Sequence, residues 1–140
     1  MALRKEASAE AQARYLADVA SASNYDSLLE TARAAEADLR AAQAASESLA
    51  KQYPLAKILD TALTNVMRSA FAAVRAEIGP RGYDDRIFAR KARATPKVHA
   101  LNVEAQGLLS RREAHRLTGL PPRPEGIGLA PEPSWASSAH

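Results

Sequence analysis

Between Ser27 and Tyr53 small and apolar residues recur at spacings of three and four: Leu28, Ala32, Ala35, Leu39, Ala42, Ala45 (or Ser46), Leu49 and Tyr53. That period places them on one face of a helix. The segment is rich in Ala, Glu, Arg and Gln, which are strong helix formers, and it contains neither Gly nor Pro. Ser27 and Glu30 have the spacing of a capping box. A helix over Ser27–Tyr53 would be about 40 Å long. Its seam is mostly alanine. That suits one wall of a helical bundle better than a parallel coiled-coil dimer, whose seam wants Ile, Val and Leu.

The fullest apolar stripe follows in Leu55–Ile78: Leu55, Ile58, Leu59, Ala62, Leu63, Val66, Met67, Ala70, Phe71, Val74 and Ile78. Gly79-Pro80 stops this second long helix, and Pro54 stands just ahead of it. Two long helices of similar length predict an antiparallel hairpin hinged at Gln52–Pro54. One long helix kinked at Pro54 is the alternative. Before the hairpin, a short helix from near Ser8 to about Val19–Ser21 is expected to turn Ala9, Ala13, Leu16 and Val19 or Ala20 inward. Ser21, Ser23, Asn24 and Asp26 break it.

Beyond residue 80, Asp84 or Asp85 is placed to cap a helix from Arg86 to about Ala94. Val98–Leu108 reads as a short helix or an extended connection, because Val98, Asn102, Val103 and Gly107 all weaken a helix. Ser110-Arg111-Arg112-Glu113 has capping-box spacing, with Leu109 as its staple, and predicts a further short helix ending at Thr118-Gly119. Residues 119–140 are Pro- and Gly-rich and too poor in apolar groups to fold alone. The fold class is therefore all-α: residues 1–79 form an Ala-rich hairpin with an N-terminal helix, 80–118 short basic helices, and 119–140 an extended tail.

Leu108–Leu120 also resembles the first helix and turn of excisionase-type helix-turn-helix proteins. The likeness lies in Ser110, Glu113, Ala114, Leu117, Gly119 and Leu120. Such a motif implies a recognition helix next, whereas Pro121, Pro122 and Pro124 follow. The resemblance therefore implies no site residue in this chain.

Composition changes the picture in two ways. The chain is 46% hydrophobic, but 32 of its 140 residues are alanine, and Leu, Ile, Val and Phe together number only 26. Alanine buries little area, so a monomer has a thin core, and a protein partner or homo-oligomer is expected. Charge is also uneven. Residues 81–123 hold ten Lys or Arg against four Asp or Glu, while residues 1–80 hold nine against ten. The basic side chains Arg86, Arg90, Lys91, Arg93, Lys97, Arg111, Arg112 and Arg116 are thus candidates to contact nucleic acid or an acidic partner. With only Tyr83 and Phe88 as aromatics, that segment has little with which to stack single-stranded bases.

In the tail, Pro121-Pro122-Arg123-Pro124 has the P-x-x-P shape of a polyproline ligand, which is equally the pattern of a plain linker. Leu120, Ile127, Leu129 and Trp135 are its candidate anchors, with Trp135 foremost. Catalysis and cofactors have little to stand on. There is no cysteine, and His99, His115 and His140 are scattered without metal-ligand spacing. No apolar run approaches the ~18 residues of a membrane span, and no signal peptide is visible, so the expected setting is the cytoplasm or a macromolecular assembly. The expectation is a non-catalytic helical interaction protein without cofactor, a structural subunit of, for example, a virion or secretion-type assembly. A nucleic-acid-binding accessory protein acting through residues 81–123 is the alternative.

Overall fold

The computed structural model describes residues 7–119, which are all-α. The helices are α1 (Ala9–Ala22), α2 (Tyr25–Ala44), α3 (Leu49–Ile78), α4 (Arg86–Arg93) and α5 (Pro96–Ala114). A 3-10 turn, Pro80–Tyr83, joins α3 to α4, and α5 runs out through a π-helical turn, His115–Gly119. No described helix is long and apolar enough to cross a membrane. The tail anchors Leu120, Ile127, Leu129 and Trp135 lie outside the described residues.

The axis is α3, and α1, α2 and α5 each pack along it. Its buried face is Ala56, Leu59, Ala62, Leu63, Val66, Ser69, Ala70, Ala72 and Val74. Ala32, Ala35 and Leu39 of α2 meet this face, as do Val98, Ala105 and Leu108 of α5. Ile58, expected in the stripe, is exposed, and Phe71 is only half-buried.

The α2–α3 turn lies at residues 45–48, not at Gln52–Pro54. A link of that length spans only about 14 Å, so α2 doubles back along α3. Three local features make the turn. Ser46 adopts a left-handed conformation with φ of 53°. The Ser48 hydroxyl caps α3 by accepting from the Lys51 amide at 3.3 Å. Gln52 Nε2 donates to the Glu47 carbonyl at 2.7 Å. Pro54 then sits inside α3, where it withholds the one hydrogen bond its missing N–H would make. Leu49 consequently belongs to α3 and is exposed rather than lying in an α2 seam.

Helix α1 presents the face opposite to the expected one. Ala11 is buried and Tyr15, Asp18, Ser21 and Ala22 are half-buried, while Ala9, Ala13, Leu16, Val19 and Ala20 are exposed, Leu16 by 63%. The cause is polar. Arg75 of α3 clasps Asp18 with two hydrogen bonds, Nε at 2.8 Å and Nη2 at 3.1 Å, and the Tyr83 hydroxyl donates to the same carboxylate. The buried Ser69 hydroxyl donates to the Ser21 carbonyl at 2.8 Å. Burying Leu16 instead would leave these polar groups without partners, and each such loss costs about 1–3 kcal/mol.

One continuous helix, α5, replaces the two short elements expected over residues 98–119. It starts with Pro96 in its first turn and passes straight through Gly107 and Ser110. Its inward stripe is Val98, Leu101, Ala105, Leu108, Arg112 and His115, and its last two members are polar. His115 is buried, and its Nε2–H donates to the Ala56 carbonyl at 2.9 Å, tying the end of α5 to α3. Glycine is required at the end of α3. Gly79 has φ of +99°, and a Cβ on Gly82 would fall 2.4 Å from Ile78 Cγ2.

The position of the α2–α3 turn has a test in sign. At a left-handed residue, Ser46→Gly relieves strain and raises stability by about 0.5–1 kcal/mol in urea unfolding. In a helix continuing through residue 46, the same change would lower it by about 0.5 kcal/mol.

Candidate interaction surface

The helix α4 has the sequence RIFARKAR. Asp85 fixes its start, with Oδ1 accepting from the Phe88 amide at 3.0 Å. Ala89 is buried and Phe88 and Ala92 are half-buried on the inner side. The Arg81 guanidinium lies 4.7 Å from the Phe88 ring centre and covers it. With the few apolar groups used inward, Arg86, Ile87, Arg90, Lys91 and Arg93 all face outward. Arg90, Lys91 and Arg93 stand in the last turn, where the helix dipole favours positive charge.

The eight basic candidates divide into two groups. Lys97 pairs with Glu77 at 3.1 Å, Arg111 with Glu36 at 2.9 Å, and Arg116 grips both oxygens of Asp60 at 2.7 and 3.3 Å. Arg112 is half-buried beside Met67, with Nη1 3.4 Å from Glu113. These four fasten α5 to α2 and α3 or to its own end. Arg86, Arg90, Lys91 and Arg93 have no acidic or hydrogen-bonding partner among the described residues. A groove of about 910 Å³ runs beside them, and Asp84 and Asp85 stand in its wall. Both acids are engaged: Asp84 accepts from the Ser8 amide at 2.8 Å, and Asp85 caps α4 and lies 3.6 Å from Arg81. In the middle of the unpaired cations sits Ile87, 59% exposed.

The clasp on Asp18 supports this surface from below, because Tyr83 belongs to the turn that leads into α4. Burial alone would raise the Asp18 pKa, but the hydrogen bonds from Arg75 and Tyr83 and the Arg75 charge outweigh it and hold the carboxyl below the usual range. Burial and the bond to Asp18 push the Tyr83 phenol up. At the other end of α5, the Arg116 hydrogen bonds hold Asp60 low against the opposing effect of its burial. Tyr25 is pushed up to about 12 by burial and by its 2.5 Å bond to Glu104, which joins the start of α2 to α5.

Sequence reasoning found α4 and its charges but missed Asp18, Arg75 and Tyr83. These three are far apart in the chain, and no spacing rule links them. Among the described residues, no group of His, Cys, Asp and Glu could hold a metal ion.

Asp18 and Asp60 tie the stability of the fold to pH. Both carboxyls have folded pKa values below their ordinary 3.8. Their contribution is fully present above that value and is lost as pH falls through the depressed values. Thermal unfolding should therefore show falling stability below about pH 4. Asp18→Asn should be less stable at neutral pH and lose less on acidification. Parallel acid losses in the two proteins would show that the clasp contributes nothing. No protein-family model matches the chain, and neither curated proteins nor solved structures give a match, so the surface stands on its own chemistry.

Proposed function

We propose that this chain is a non-catalytic helical interaction protein, a structural or assembly subunit that docks an acidic protein partner through α4. One observation carries the reading: Ile87, 59% exposed, lies among four cations that have no acidic partner among the described residues. Four adjacent positive charges repel one another, and a partner that neutralises them removes that cost. An acidic protein surface can supply carboxylates and an apolar side chain together. A phosphate backbone supplies only the charge. Arginine around an apolar contact is also the composition that protein interfaces favour.

The test uses the full chain at low salt with two probes: an acidic amphipathic peptide that places leucine among glutamates, and a short DNA duplex. The peptide should bind. Replacing Arg86, Arg90 and Lys91 together by Ser should weaken it at least about tenfold, a change of about 1.4 kcal/mol. Ile87→Ser alone should weaken it several-fold while circular dichroism stays unchanged. If the duplex binds instead, with steep salt dependence and no effect of Ile87→Ser, the protein is a nucleic-acid-binding accessory and the acidic-partner reading fails.

A further inference from the structure

Three helices each send one arginine to the same small cavity. Arg14 of α1, Arg75 of α3 and Arg93 of α4 line a space of about 180 Å³, with Tyr83 beside them and Ile78 and Ala89 as its apolar wall. No carboxylate is among the lining residues. Asp18 is bonded to two of the lining residues, and its two oxygens already accept from Arg75 and Tyr83.

One of the three cations is held in place by hydrogen bonds, and a second stands over an aromatic ring. Arg75 is fixed by its forked pair with Asp18, which uses Nε and Nη2 and leaves the Nη1 hydrogens free to point elsewhere. The Arg14 guanidinium lies 5.7 Å from the centre of the Tyr83 ring, and the hydroxyl of that ring is anchored on Asp18. Arg93 has no partner among the described residues and closes the cavity from α4. Planar guanidinium forks match the oxygens of a tetrahedral anion, and an apolar wall strengthens each charge-assisted bond. Prior fixation of Arg75 lowers the ordering cost of binding.

We propose that this cavity is a binding site for a tetrahedral oxyanion of the phosphate class, held by Arg14, Arg75 and Arg93. The site shares Arg93 with the charged face of α4 but not Ile87: Ile87→Ser removes the apolar contact there and leaves the three arginines intact.

The test is a titration of the full chain with inorganic phosphate at constant ionic strength, balanced with chloride, read from the arginine Nε–H resonances in nuclear magnetic resonance spectra. Saturable shifts are expected at Arg14, Arg75 and Arg93. Arg14→Gln and Arg93→Gln should each weaken binding at least about tenfold, as loss of a charge-assisted bond does. Arg68→Gln, an exposed change elsewhere on α3, should leave it within twofold. Arg75→Gln also breaks the Asp18 clasp, so Arg14→Gln and Arg93→Gln are the deciding variants. A parallel titration with methyl phosphate separates the sources. Binding of both ligands assigns the site to a phosphate group on a larger molecule, and binding of phosphate alone assigns it to the free ion. Shifts that never saturate, or an Arg68→Gln loss equal to that of Arg93→Gln, would overturn the proposal and mark general charge screening.

Discussion

Three helices converge on one thirty-residue helix, and the small side chains of α3 allow it. Ala56, Ala62, Ser69, Ala70 and Ala72 are all buried there, so neighbouring backbones come close. Close approach has a cost in this chain. Alanine removes little apolar area from water, and at roughly 25 cal/mol per Å² a seam of alanines holds its neighbours weakly. Leu39, Leu59, Leu63 and Leu108 with Val66, Val74 and Val98 supply the few large buried groups among the described residues.

Polar ties make up part of the difference, and they decide orientation where apolar packing does not. The Arg75–Asp18–Tyr83 clasp and the Ser69–Ser21 bond choose which face of α1 meets α3. The His115–Ala56 bond and the Arg116–Asp60 pair settle where α5 ends against α3. Exposed ion pairs contribute little each, typically under about 1 kcal/mol, but a hydrogen bond at a buried group is costly to lose. Using Lys97, Arg111, Arg112 and Arg116 in this way leaves the unpaired cations of the basic segment, among the described residues, on α4. The internal needs of the bundle thereby define its outer chemistry.

The parts of this that were legible in sequence are those where apolar residues alone carry the signal. Leu28, Ala32, Ala35, Leu39 and Ala42 on α2, and most of the α3 stripe, follow the helical period. Where a polar side chain takes an inward position, the period misleads. Asp18 faces inward on α1, so apolar counting inverted the first helix, while the weak helix formers Val98, Asn102, Val103 and Gly107 and the capping-box spacing at Ser110 split the last. Pro54 gave a second false boundary: it stands inside α3 while the true break is a left-handed Ser46, which no composition rule marks. In the candidate site, the charge of residues 81–123 was plain. Its division into paired and unpaired cations was not, because Glu36, Asp60 and Glu77 come from distant parts of the chain.

Helix α3 is the element on which the rest assembles, with α4 attached at the edge. Amide hydrogen exchange on the full chain measures this directly, since protected amides report which segments open only with global unfolding. The amides of α3 between Ala56 and Val74 should exchange slowest, and those of α4 at least about tenfold faster through local opening. Equal exchange in α3 and α4, or an α3 that opens before α2 and α5, would contradict the account.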